Sequence, residues 1–198
     1  NAQESYFEAI RLAKVEKDLG RQYKAEFGLG VVHVNLGELE EAIAIFEVPL
    51  ADPDNCLPND HAGFANALGA CHYRMGNYEE AKNCYLLSAQ AWQINDSVTD
   101  PYRAGMIQFN LGFTYRSLDM PDSAAYCTNQ ALELSLISGN KSFMARTHSA
   151  VGGHKSAEGK YAEAETYLKK ATEFAEASGA IEPRMDTWAN LAKNYTAW

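Results

Sequence analysis

The sequence repeats itself at a fixed internal distance. Gly30 and Ala42, Gly69 and Ala81, Gly112 and Ala124, and Gly152 and Ala164 are each twelve residues apart. Each of these glycines follows an aliphatic residue: Leu29, Leu68, Leu111 or Val151. Successive alanines are spaced 39, 43 and 40 residues. A constant inner step with a variable outer one describes a rigid helix pair, joined to the next by an adjustable loop. Such a unit buries its apolar face only by stacking on its neighbours. Small residues on facing surfaces let antiparallel helix axes approach to about 8–10 Å. Four residues beyond each Ala stands Phe46, Tyr85, Thr128 or Leu168, one helical turn on, where a core knob is expected. Gly37, Gly76 and Gly159 fall at the turn within a pair, where a left-handed backbone costs glycine nothing.

This pattern predicts an all-α solenoid of about ten helices in antiparallel pairs. It divides one domain into units at 21–58, 59–99, 100–140 and 141–181, with partial units at 1–20 and 182–198. Asp100-Pro101 and Glu182-Pro183 each place an acid before a first-turn proline, and Asn59-Asp60 precedes another helix. Pro49 is expected to end its helix near Val48 and open an irregular stretch running to Pro58. The stretch is read as a loop between repeats, with a partner-binding role as its sharper reading. The sequence starts Asn1-Ala2, without Met, and stops at Trp198 in a helical pattern, as expected for a piece of a longer protein.

Charge narrows the partners. With 17 Lys and Arg against 26 Asp and Glu, the formal net charge is −9, which argues against direct nucleic-acid binding. The longest weakly polar run, Phe27 to Leu36, is too short to span a membrane. Cys56, Cys71, Cys84 and Cys127 form no C-x-x-C pair and no cluster with His, so neither zinc nor any other cofactor is expected. Reduced, buried thiols at 71, 84 and 127 favour a cytoplasmic location, and Cys56 in the proline-rich stretch is expected to be the accessible thiol. His33 and His72 hold matching places in successive units and are read as packing residues. No nucleophile–base pair or paired carboxylate emerges, so no enzyme is expected.

The Leu-Gly step, Gly76-Asn77-Tyr78-Glu79-Glu80-Ala81 and Gly159-Lys160-Tyr161-Ala162-Glu163-Ala164 resemble the tetratricopeptide repeat over essentially the whole chain. Asn190 to Tyr195 begins a further unit, and Tyr6 and Ala9 fit the second helix of an earlier one. The third unit departs from the pattern with Asp119 at the turn and Pro121 at the aromatic position. His33, His72 and Lys155 stand where the family has an aromatic in its first helix. The spacing near 40, against 34 in the basic motif, resembles the longer-helix variants of kinesin light chains and of Rap-type and MalT-type regulators.

The resemblance implies a binding groove lined by the first helices. Steps of three and four residues off the glycine face place Lys24, Phe27 and Val31; Asn66 and Tyr73; Met106, Phe109, Phe113 and Arg116; and Arg146 and Ser149 along it. Asn110 and Asn190 match the asparagine that holds peptide backbone in kinesin-light-chain-like members. The Lys/Asn clamp of chaperone-docking members has no counterpart here. The expected partner is therefore a protein or peptide, with an apolar side chain near Tyr73, Phe109 and Phe113 and an acidic part near Arg116 and Arg146. End-to-end packing of repeats offers a route to homo-oligomers. The expected role is a binding scaffold, or alternatively the sensory or regulatory arm of a larger signalling protein or transcription regulator.

Overall fold

The computed structural model describes residues 2–52, 56–93, 100–179 and 181–197, and of these only the backbone at 58, 59, 93 and 181–186. Ten helices account for them: α1 (Ala2–Glu16), α2 (Leu19–Leu36), α3 (Leu39–Leu50), α4 (Pro58–Met75), α5 (Tyr78–Gln93), α6 (Pro101–Ser117), α7 (Pro121–Ser138), α8 (Lys141–Ala157), α9 (Tyr161–Ser178) and α10 (Ile181–Ala197). No strand occurs among the described residues. The chain forms two compact units, Asn1–Val98 with α1 to α5 and Thr99–Trp198 with α6 to α10. The first contains the pairs α2/α3 and α4/α5, and the second α6/α7 and α8/α9, giving the repeat architecture of an α-solenoid.

The twelve-residue step works through a contact sixteen residues long. A Cβ on Gly30 would lie 2.2 Å from the Phe46 ring, and one on Gly69 would lie 2.8 Å from the Tyr85 ring. On Gly112 it would meet Thr128 Oγ1 at 2.5 Å, and on Gly152 Leu168 Cγ at 2.7 Å. Each repeat glycine thus seats the knob of its partner helix, and Ala42, Ala81, Ala124 and Ala164 are fully buried beside it. The knobs Phe46, Tyr85, Thr128 and Leu168 are themselves buried.

The turns follow from backbone chemistry. Gly37, Gly76 and Gly159 take φ of 84°, 83° and 74°. Asp119 adopts φ 56° at the same place, because a short polar side chain tolerates the left-handed region better than most. Lys17 does likewise between α1 and α2, at φ 56°. Helix starts are capped by Asp18, Asp100 and Asn140, whose side-chain oxygens accept from the amides of Arg21, Arg103 and Phe143 at 3.0, 3.1 and 2.9 Å.

Three expectations change. Pro49 does not stop α3 at Val48; the helix closes at Leu50, with buried Pro49 inside its last turn. Proline lacks the N–H for its own i−4 hydrogen bond and its ring crowds the preceding turn, so α3 ends one residue later and is the shortest of the ten helices at 12 residues. Helix α4 begins at Pro58, with Leu57 as its extended N-cap, so the start precedes Asn59-Asp60. Cys56 is not the accessible thiol: it is 5% exposed, and burial with Asp60 and Asp52 nearby pushes its pKa up to about 11. All four cysteines are free, Cys84 alone being half-buried. Residues 53–55 of the Pro49–Pro58 stretch and the side chains of Glu182 and Pro183 lie outside the described residues.

Candidate functional site

The first-helix residues divide sharply by unit. In the unit Asn1–Val98, Lys24 and Val31 are exposed on α2 and Asn66 is half-buried on α4. Phe27 turns into the core instead, 5.8 Å from the Phe46 ring and edge-on to Phe64 at 5.4 Å. Tyr23 extends the same aromatic cluster, 6.2 Å from Phe64. Tyr73 rests on Tyr78 at 5.3 Å, across the α4/α5 turn. These aromatics stiffen the unit and leave Lys24 and Val31 as its outward groups.

In the unit Thr99–Trp198 the residues converge. Phe109 and Phe113, one turn apart on α6, pack with ring centroids 4.8 Å apart. The Arg116 guanidinium lies 4.4 Å from the Phe113 centroid, and that of Arg146, on α8, lies 4.8 Å from the Phe109 centroid. A guanidinium over a ring face is held by the ring quadrupole and by flat stacking. Phe109 is only 6% exposed, so it is a core ring capped by Arg146 and not an open anchor. Phe113 and Met106 are half-buried at the core margin, against Phe109, Ala131, Phe143 and Ala150.

Other members of the unit fix this face. Asn190 on α10 donates from Nδ2 to Ser149 Oγ on α8 at 2.9 Å, so one pair unites two expected groove residues. Ser149 is buried and Asn110 half-buried. Phe143 stands edge-on to Phe109 at 6.0 Å and to Tyr102 at 5.4 Å. Its role escaped the sequence reading, although Gly105 carried a signal: it lies two turns before Gly112, and a Cβ there would fall 2.7 Å from the Phe143 ring.

His154 was also missed. Thr128 Oγ1 donates to the Ala124 carbonyl at 2.7 Å, so at 3.2 Å it accepts from His154 Nε2, which fixes the ring tautomer. Burial lowers the pKa of this imidazole; the Arg116 charge lowers it further, against a smaller opposing pull from Glu158. His148 is lowered mainly by burial, opposed by its hydrogen bond to the Met144 carbonyl at 2.8 Å.

The arginines differ in their partners. Arg11, Arg21 and Arg103 pair with carboxylates of Glu8, of Glu16 and Asp18, and of Asp100. Arg74 donates to the Val34 carbonyl at 2.7 Å. Arg116 and Arg146 alone among the described arginines stack on rings with no carboxylate in ion-pair range. No group of three His, Cys, Asp or Glu among the described residues could hold a metal ion. No described helix is long and apolar enough to cross a membrane.

Residues 60–137, from α4 through most of α7, match the tetratricopeptide repeat. BtubC (BKLC) from P. vanneervenii has the same fold, with a TM-score of 0.81 at 20% identity over 99% of this chain and 81% of its own. The apo form of RapI aligns with a TM-score of 0.74 at 17% identity, covering 94% of this chain and 53% of RapI. A Rap protein complexed with Competence and Sporulation Factor aligns at 0.75 and 15% identity, over 98% of this chain and 58% of its own. The chain thus spans little more than half the length of these Rap structures. Among curated proteins none matches it in sequence.

Proposed function

We propose that this chain is a non-enzymatic scaffold that binds a protein or peptide on the outward face of its first helices. The observation that carries the reading is the ring-and-arginine face of the second unit. Phe113, Arg116 and Arg146 form a preorganised surface there, with no carboxylate in ion-pair range of either arginine among the described residues. Aromatic and arginine side chains are enriched among the residues that carry most of the binding energy of protein interfaces. The Rap protein solved with Competence and Sporulation Factor supports the reading as a related fold in complex. Lys24, Val31, Asn66 and Tyr73 extend the proposal to the first unit as a secondary contact surface, and free thiols suit a reducing, cytoplasmic setting.

Site-specific photo-crosslinking tests this. A crosslinking residue at positions 31, 66 or 113 should capture a partner protein, whereas one at the exposed second-helix positions 126 and 137 should not. Capture through 126 and 137 alone would move the binding surface to the second helices. A second reading, a sensory or regulatory arm, is favoured by the chain's coverage of only 53% and 58% of the two Rap structures. In that case the same face binds the signal, and chemistry or DNA binding resides in another part of the polypeptide.

A further inference from the structure

We infer that the exposed face of α7 pairs with the same face of a second copy of this chain, the two α7 helices lying antiparallel across a two-fold axis. The surface belongs to a second helix, so the inference stands apart from the function proposed for the first helices. The first support is composition. The outward residues of α7 include Tyr126, Asn129, Glu133, Leu136 and Ile137, with Tyr126 66%, Leu136 50% and Ile137 69% exposed. Forty residues on, at the matching places of α9, stand Thr166, Lys169, Glu173, Glu176 and Ala177. Two helices of equal rank in the repeat therefore differ in what they show to solvent. The face of α9 is that of a solvated helix, whereas α7 carries large apolar groups at both ends of its stripe.

The second support is spacing. From Tyr126 the stripe steps three residues to Asn129, four to Glu133 and three to Leu136. That alternation keeps one line of side chains toward a partner helix. The buried residues Ala124, Cys127, Thr128, Ala131 and Ser135 occupy the other side of α7, which packs on α6 and α8.

The third support is that the stripe complements itself when reversed. In an antiparallel pair centred on position 131, Tyr126 meets Leu136 of the second copy, with Ile137 beside it, and Asn129 meets Glu133 of the second copy. Two-fold symmetry repeats both contacts, as an isologous interface requires. The Asn129 amide donates and the Glu133 carboxylate accepts, and neither side chain has a polar partner of its own among the described residues. A polar pair between apolar ends fixes the register. A parallel pair would instead set Glu133 against Glu133, so charge selects the antiparallel direction. The stripe from 126 to 137 is about 16 Å long at 1.5 Å per residue, which suits a weak, concentration-dependent dimer.

Sedimentation equilibrium of the intact chain between about 1 and 300 μM tests this. The mass should rise with concentration from one chain toward two. Two charge variants, Asn129→Glu and Asn129→Lys/Glu133→Lys, should each dimerise at least tenfold more weakly at low salt, and an equimolar mixture of the two should recover the dimer. All these positions are exposed, so matching thermal melts exclude loss of fold as the cause. A photo-crosslinking residue at 126 should join the chain to position 136 or 137 of a second copy and to no other protein. A wild-type chain that stays monomeric throughout, charge variants that dimerise as well as wild type, or a mixture that stays monomeric would overturn the inference and leave the first-helix reading standing. Crosslinks from 126 to a different protein, or to another part of the second copy, would overturn it too.

Discussion

Sixteen residues after its repeat glycine, the first unit has an aromatic ring, Phe46 or Tyr85, whereas the second has Thr128 or Leu168. The smaller knobs bring backbone into play. A Cβ on Gly112 or Gly152 would lie 3.3 or 3.2 Å from the carbonyl of Ala124 or Ala164, while at Gly30 and Gly69 the three nearest atoms all belong to the knob ring. The second unit fills its interior partly with hydroxyls: Thr114, Thr128, Ser135 and Thr147 are buried and bonded to carbonyls of their own helices. Ser135 and Thr147 also join α7 to α8 at 2.9 Å. Two of its aromatic residues, Phe109 and Phe113 on α6, carry arginines over their rings, while Phe143 is buried in the core. The same repeat geometry therefore admits two economies. Rings between helices close the first unit, and rings under guanidiniums form the face proposed for binding in the second.

The largest expected effect attacks the aromatic interior. Phe46→Ala should cost about 3–5 kcal/mol in urea denaturation, since a buried phenyl at the centre of the Tyr23, Phe27 and Phe64 cluster leaves a cavity. The comparison fails if Thr128→Ala costs as much, because that site loses far less volume.

Next, Gly112→Ala should cost about 2 kcal/mol and Gly69→Ala about 1 kcal/mol by the same measurement. The first meets a β-branched Thr128 and a fixed carbonyl, whereas the second meets the far edge of Tyr85. An inverted order would mean that the Tyr85 ring is the more rigidly held neighbour.

Thr128→Val should cost about 1 kcal/mol, because it removes the hydroxyl that receives the His154 Nε2–H and leaves that nitrogen unpaired. Acid should sharpen the difference between the units. The folded-state pKa of His148 and of His154 is depressed, so below about pH 6.5 the unfolded chain binds more protons than the folded one. Stability then falls as pH drops through that region. In the first unit His61, on α4, is lowered by burial. Amide hydrogen exchange between pH 6.5 and 5 should show α8 and α9 losing protection faster than α2 and α3, and His154→Gln should reduce the gap.

The smallest effect concerns the turns. Asp119→Gly should be stabilising or neutral within about 0.5 kcal/mol, whereas Gly76→Asp should cost about 1 kcal/mol, measured as melting-temperature shifts. Equal and opposite shifts would show that the turn backbone alone sets both values.

The sequence by itself determined the helix pairing, the buried small residues and the turn positions. Those rest on local spacing: a glycine, an alanine twelve residues on and a knob at sixteen meet whenever two helices close over a short turn. It also placed Phe109, Phe113, Arg116 and Arg146 on one side of their helices, because a period of 3.6 fixes direction around an axis. Depth was decided only by the tertiary structure. Phe27 and Phe109 lie on the stripe predicted to face outward, yet both sink into their units, one among rings and one beneath a guanidinium. The burial of Cys56, the two extra residues of α3 and the pairing of Asn190 with Ser149 across 41 positions likewise depend on segments that no local pattern relates. Periodicity reports which way a side chain points; how far its neighbours close over it is set by the volumes and charges of residues remote in the chain.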